Sequence, residues 1–315
     1  MKTLLFSLML LCGAGRAEPA AAPAGDFHQH IFNPAMAELI KVDPISVDDL
    51  VGMLDQAHIR RATLLSVAYI YAAPSRSFGD EQVRVRAEND WTAAQAARYP
   101  GRLQAICSFN PLQDYALAEL ERCAKDPGLK HGIKLHFGNS DVQLEQPAHA
   151  EKLKQVFRAA NAHGMAIIVH MRASISKKRP YGAEQARVFL EQLLPQAPDV
   201  PVQVAHMAST GPGYDDPPAE AVLDVLADAV ERGDPRTRKL WFDVASLAQP
   251  DMPAQDAARL VQRIRQVGVA RVVYGSDSAA GKNLRPREAW AAFAGLPLTA
   301  EEVARIGANL PPYWR

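Results

Sequence analysis

Eight short apolar runs recur along the chain, each followed by a longer stretch with helical periodicity. The runs are DFHQHI (26–31), RATLLSVAY (61–69), RLQAICSF (102–109), HGIKLHF (131–137), MAIIVHM (165–171), VPVQVAHM (200–207), KLWFDVAS (239–246) and ARVVYGSD (270–277). Each is bounded by turn residues and reads as a strand. Most are apolar on both faces, as strands are when helices cover both sides of a parallel sheet. Helices are expected at 46–59, 81–100, 113–128, 148–164, 182–196, 217–233, 253–268 and 298–310. Ser46 and Thr299 start two of them, Thr299 with Glu302 in capping-box spacing. Asp126-Pro127-Gly128 and Gly164 stop two others. Eight βα units within residues 26–315 fit a (β/α)8 TIM barrel of α/β class, read as a single domain. A doubly wound open sheet is the rival, because alternation alone does not separate the two.

Hydrophobic residues make up 48% of the chain, which is ample for the core of one such barrel. Lys+Arg and Asp+Glu number 35 each, so no charge excess points to nucleic acid or an anionic membrane. Residues 1–17, MKTLLFSLMLLCGAGRA, join a basic Lys2, an apolar run and a small-x-small site at Gly15-Arg16-Ala17. That is the pattern of a secretory signal peptide, and its apolar run is too short to serve as a membrane anchor. Residues 18–25 then form a tether, and the mature protein is expected in the periplasm or secreted. Cys107 lies in an apolar run and Cys123 on a helical one. Export permits a disulfide, but two separate buried thiols are the expectation.

Polar residues collect toward the C-terminal ends of the strands, the rim where barrels of this kind carry their chemistry. His28 and His30 lie in the first strand, Lys134 and His136 in the fourth, His170 in the fifth, His206 in the sixth and Asp277 at the end of the eighth. Residues two apart in a strand share a face, so His28 and His30 project together. Two adjacent imidazoles make a poor hydrogen-bond pair and a good metal clamp. With His170 and Asp277 they offer three nitrogens and a carboxylate, a set that suits Zn2+ with one position open to water. Each residue also has a plainer reading. An HxH pair often simply faces solvent, a strand-end histidine often only completes a hydrogen bond of the fold, and the aspartate of GSD can cap a helix. His58, His131, His149 and His163 fall in or beside helices and turns and are read as structural.

DFHQH, GIKLHFGNS, VHM, VAHM and YGSD, in that order, resemble the amidohydrolase superfamily. The closer likeness is to its amidohydrolase-related branch, which includes zinc-dependent decarboxylases. The stretch from Ser108 to Val142 and the closing LTAEEVARIGANLPPYW are similar to that branch as well. The resemblance implies His28, His30, His170 and Asp277 as metal ligands, Asp277 also receiving the proton of the attacking water. It implies that His206 ligates a second ion in two-metal members or polarises substrate in one-metal members. Asp26 occupies the place of the motif's leading acid and is expected to brace the strand. Lys134 stands where binuclear relatives carry a carbamylated, bridging lysine. One ion is preferred, with two if Lys134 is carbamylated, because the single-ion site needs no modification.

A zinc-activated water attacking an ester, lactone or amide follows, with Asp277, His206 and Lys134 as the catalytic residues. The fifth loop, RASISKKRPYG, is basic and suggests an anionic small molecule as substrate, bound by His136, Arg172 and Tyr69; the alternative is an ordinary solvated loop. In the second loop Tyr69, Tyr71 and Phe78 either line a pocket or pack the barrel top, and the Gly/Pro-rich sixth loop is a candidate lid. Two further readings stay open: a non-oxidative decarboxylase with the same ligands, and a metal-binding protein without catalysis. A homo-oligomer is compatible with the sequence.

Overall fold

The protein is described by a computed structural model covering residues 21–279 and 282–314. The expected signal segment and residues 18–20 of the tether lie outside the described residues. Eight strands run in order β1 (Asp26–Gln29), β2 (Ala62–Leu65), β3 (Leu103–Ser108), β4 (Gly132–His136), β5 (Ala166–His170), β6 (Val202–Val204), β7 (Leu240–Asp243) and β8 (Val272–Val273). Each pairs in parallel with the next. The ring closes where Phe27 N donates to Tyr274 O and Asp277 N donates to His28 O, both at 2.9 Å. Gly275 permits this closure: a Cβ there would stand 2.7 Å from the Cβ of His28. The TIM barrel read from the alternation is therefore the fold, and the open sheet is excluded.

Helices follow the strands as α1 (Pro34–Ile40), α2 (Val47–Gln56), α3 (Glu81–Ala97), α4 (Ala116–Lys125), α5 (Phe137–Ser140), α6 (Pro147–Ala162), α7 (Ala183–Val188), α8 (Pro217–Glu231), α9 (Ala254–Val267), α10 (Pro286–Ala294) and α11 (Ala300–Ala308). Ser46 with Asp49 and Thr299 with Glu302 form reciprocal capping boxes that start α2 and α11. Among the described residues no helix is long and apolar enough to cross a membrane. The main core lies between strands and helices. A second, smaller one fills the barrel, where Leu65, Ile106, Ala166 and Ile168 meet Tyr313 of the C-terminal tail. Burying a leucine or isoleucine there contributes about 1.5–3 kcal/mol.

Several elements depart from expectation. β6 stops at Val204 because His206, Met207 and Ala208 adopt left-handed φ of 52°, 47° and 67°. That conformation costs on the order of 1–2 kcal/mol per L-residue. The helix expected at 182–196 breaks into α7, a π turn (Phe189–Leu193) and a 3-10 turn (Leu194–Gln196). Pro195 has no N–H to continue the ladder. Helices α1 and α10 were not anticipated, although Asn33-Pro34 is a cap followed by a first-turn proline. The expectation of two free thiols is corrected: Cys107 and Cys123 are joined in a disulfide. Cys107 sits on β3 and Cys123 on α4, the helix of the same unit, so their Cα atoms come within 6.3 Å.

Candidate metal centre at the barrel mouth

Alternation along the strands sets the site. Lys134 and His136 share one face of β4, and the parallel register places Lys134 beside Ile168 and His136 beside His170. His28, His30, Tyr69, Lys134, His136, His170, His206 and Asp277 line one cleft of about 270 Å³, with Phe32, Ile40, Val42, Val67 and Ile70 as an apolar wall. The last residue of α1, Ile40, and Val42 two positions beyond it belong to that wall.

Three imidazoles are oriented by acceptors behind them. His28 Nδ1 faces Asp243 Oδ2 at 3.0 Å, His30 Nδ1 faces Leu65 O at 2.7 Å, and His206 Nδ1 faces Ala245 O at 2.8 Å. A carbonyl or an ionised carboxylate only accepts, so each Nδ1 carries the proton and each Nε2 presents a lone pair. Burial, reinforced by the positive charge of Lys134, holds His28 and His30 below the ordinary histidine range, His30 at about 3. Burial likewise lowers His206, His170 and His136. Neutral imidazoles with a pinned Nδ1–H are the form in which histidine ligates a metal.

The donor atoms of His28, His206 and Asp277 lie within 4.8 Å of one another. His30 Nε2 is 3.6 Å from Asp277 Oδ1. That oxygen is buried and accepts no hydrogen bond, while Oδ2 is held by Asn283 Nδ2 at 3.0 Å. A buried carboxylate oxygen among imidazole lone pairs is the environment a cation satisfies. Burial raises Asp277 to about 8, with Asp243 and Asp26 adding to the rise and Lys134 opposing it. Burial also lowers Lys134 to about 8 against the pull of Asp243 and Asp277. Its Nζ stands 3.3 Å from His28 Nε2.

The structure thus gathers most of the predicted site, with changes of emphasis. His206, expected to serve substrate or a second ion, belongs to the closest donor trio. His170 lies in the cleft but stacks on His136, ring centres 3.8 Å apart. Tyr69 packs on His136 at 4.9 Å. Arg172 is not among the cleft-lining residues: its Nε donates to Asp216 at 2.8 Å and its guanidinium covers the Tyr181 ring. Lys177 and Arg179 of the same loop pair with Asp141. Tyr71 and Phe78 pack against each other beside Arg84.

Sequence reasoning passed over Asp243, whose only signal is its position at the end of β7. It did assign Asp26 a bracing part. Asp26 accepts from Gln29 Nε2, Ser276 Oγ and Ser276 N, tying β1 to the segment that carries Asp277.

A parallel barrel that turns neutral imidazoles and a buried carboxylate toward one point at its C-terminal mouth defines a metal-binding (β/α)8 enzyme. The chain belongs to the amidohydrolase family, whose model matches residues 26–309. Solved structures agree in fold. A 2,6-dihydroxybenzoate decarboxylase complexed with 2,6-dihydroxybenzoate is 15% identical with a TM-score of 0.64, covering 91% of this chain and 97% of that one. A probable 2-pyrone-4,6-dicarboxylic acid hydrolase from Acinetobacter baumannii, with citric acid bound, is 19% identical with a TM-score of 0.58, covering 90% and 96%. A dihydroxybenzoic acid decarboxylase from Polaromonas sp. JS666, with manganese and 2-nitroresorcinol, is 16% identical with a TM-score of 0.61, covering 91% and 95%. No curated protein sequence matches the chain.

Proposed function

We propose that this amidohydrolase-family enzyme is an exported hydrolase that uses one Zn2+ ion and cleaves an ester, lactone or amide of a small substrate. The observation that carries the reading is the unpartnered, buried Asp277 Oδ1 facing imidazoles whose protons are pinned on the far nitrogen. His28, His206 and Asp277, with His30 beside them and His170 at the edge, would hold the ion. When bound, Zn2+ lowers the pKa of water toward ~7 and polarises a carbonyl.

The residues then divide the work. Asp277 takes the proton of the attacking water and delivers it to the leaving group. Asn283 fixes its Oδ2 so that the other oxygen faces the cleft. Lys134, the one cation among the described lining residues, donates toward the developing oxyanion. His206 cannot share that task as a neutral ring, because its proton is directed at Ala245 O. Arg172 is engaged by Asp216, and Lys177 and Arg179 by Asp141; exposed Lys178 does not line the cleft, so recognition of a substrate carboxylate falls to Lys134, and the apolar wall receives the rest. Export is supported by the basic and apolar pattern of residues 1–17 and by the Cys107–Cys123 disulfide.

The apolar wall and single cation also favour a second reading, decarboxylation, in which the bond between carbon and carboxylate breaks, CO2 leaves, and a proton carried by Asp277 takes its place on the carbon. Turnover of an ester, lactone and amide panel, run beside CO2 release from aromatic acids, separates the two. Chelation should abolish activity and Zn2+ restore it. Asp277→Asn should lower kcat by about 10²–10⁴ while the protein still takes up metal. Unchanged turnover in that variant would remove the proton-transfer role.

A further inference from the structure

We propose that Asp243 is a positioning residue that sets the donor geometry of His28 and His206, and that Gln203 and the C-terminal Tyr313 hold it in place. The inference rests on the metal reading above. Asp243 is fully buried at the end of β7. Its Oδ2 accepts from His28 Nδ1 at 3.0 Å and from Gln203 Nε2 at 2.7 Å. Its Oδ1 accepts from the backbone N–H of His206 at 2.8 Å and of Ala245 at 3.2 Å. Four donors use the capacity of one carboxylate. Asp243 therefore stands behind the donor cluster and is not itself a ligand.

Two consequences follow from this geometry. The bond to His28 places the ring proton on Nδ1 and turns the Nε2 lone pair into the cleft. The bond to His206 N anchors the start of the left-handed run at 206–208, which no strand ladder supports. Ala245, bonded to Asp243 through its N–H, returns its carbonyl to His206 Nδ1 at 2.8 Å. One carboxylate thus couples a ring on β1 to the backbone after β6. Behind it, Gln203 Oε1 accepts from Tyr313 OH at 2.9 Å. Tyr313 is packed inside the barrel on Leu65, Ile106, Ala166 and Ile168. The C-terminal tail therefore reaches His28 through a continuous buried relay of Tyr313, Gln203 and Asp243.

The test uses Asp243→Asn. The amide keeps the shape, and its oxygen can still receive the His206 and Ala245 N–H groups. Its NH2 then faces both Gln203, which turns its amide oxygen to accept, and His28, which must accept at Nδ1 and carry its proton on Nε2, displacing the Lys134 ammonium 3.3 Å away. Imidazole 15N NMR of the metal-free full chain, with His28 assigned against His28→Gln, reads the tautomer directly. Calorimetric titration with Zn2+ reads affinity, and circular dichroism reads the fold. Expected are an Nδ1–H tautomer in the wild type, an Nε2–H tautomer in Asp243→Asn, and a 10–100-fold loss of Zn2+ affinity. Tyr313→Phe, which keeps the ring and releases Gln203, should weaken Zn2+ several-fold.

A lowered melting temperature with tautomer and affinity unchanged would reduce Asp243 to a structural residue and overturn the proposal. Should the tautomer switch while neither protein takes up Zn2+, the metal reading fails and control of His28 by Asp243 stands. If Asp243→Asn does not fold, Tyr313→Phe decides: wild-type affinity there overturns the relay.

Discussion

Replacing Asp277 by asparagine should stabilise the metal-free protein. The carboxylate is buried, one oxygen accepts no hydrogen bond, and burial raises its pKa from 3.8 to about 8. A folded-state pKa above the unfolded one means that the folded chain binds the extra proton between those values. Stability from this group is intact below pH 3.8 and falls as pH rises toward 8. At about 1.36 kcal/mol per pH unit, the cost of Asp277 reaches about 4 kcal/mol at pH 7. Asparagine has nearly the same shape and no charge, so chelated Asp277→Asn should gain up to that amount at pH 7 and almost nothing at pH 4. Urea unfolding of both proteins in chelator between pH 4 and pH 8 measures the difference as midpoint times slope. With Zn2+ present the order should reverse, because only the carboxylate is an anionic ligand. Parallel pH profiles in chelator would refute the reasoning, since they would mean that Asp277 is solvated or already neutralised by a protein donor.

Other expectations are more local. Ile168→Ala should cost about 2–5 kcal/mol in the same urea assay, because the inner core has no free side chain to collapse into the space. Cys107→Ser with Cys123→Ser should cost about 3 kcal/mol, the loop entropy of a bridge spanning 16 residues, and reductant should reproduce that loss in the wild type. Arg179→Ala should leave KM unchanged and shift stability by about 1 kcal/mol or less, since its pair with Asp141 is partly exposed and Lys177 remains. A large rise in KM there would return the fifth loop to substrate binding.

The architecture was legible because it depends on periodicity. Strand-like runs separated by helical ones, with Gly and Pro between, leave few ways to bury both sheet faces, and a closed barrel is one of them. The HxH pair and the strand-end His170, His206, Lys134 and Asp277 were legible because alternation and strand polarity place them at one mouth. Strand lengths were less legible. The left-handed turn at His206–Ala208 has no glycine to announce it and is held by bonds from Asp243 and Tyr181.

The order of strands and the set of side chains facing the mouth follow from the chain itself, since period and direction are local properties. Which imidazole nitrogen carries the proton, which basic residues are already paired, and which cysteines meet depend on groups far away in sequence. Asp243 reaches His28 across 215 positions, and Asp216 captures Arg172 across 44. Hydrogen bonds and ion pairs act over a few ångströms, so only closure of the barrel decides who the partners are.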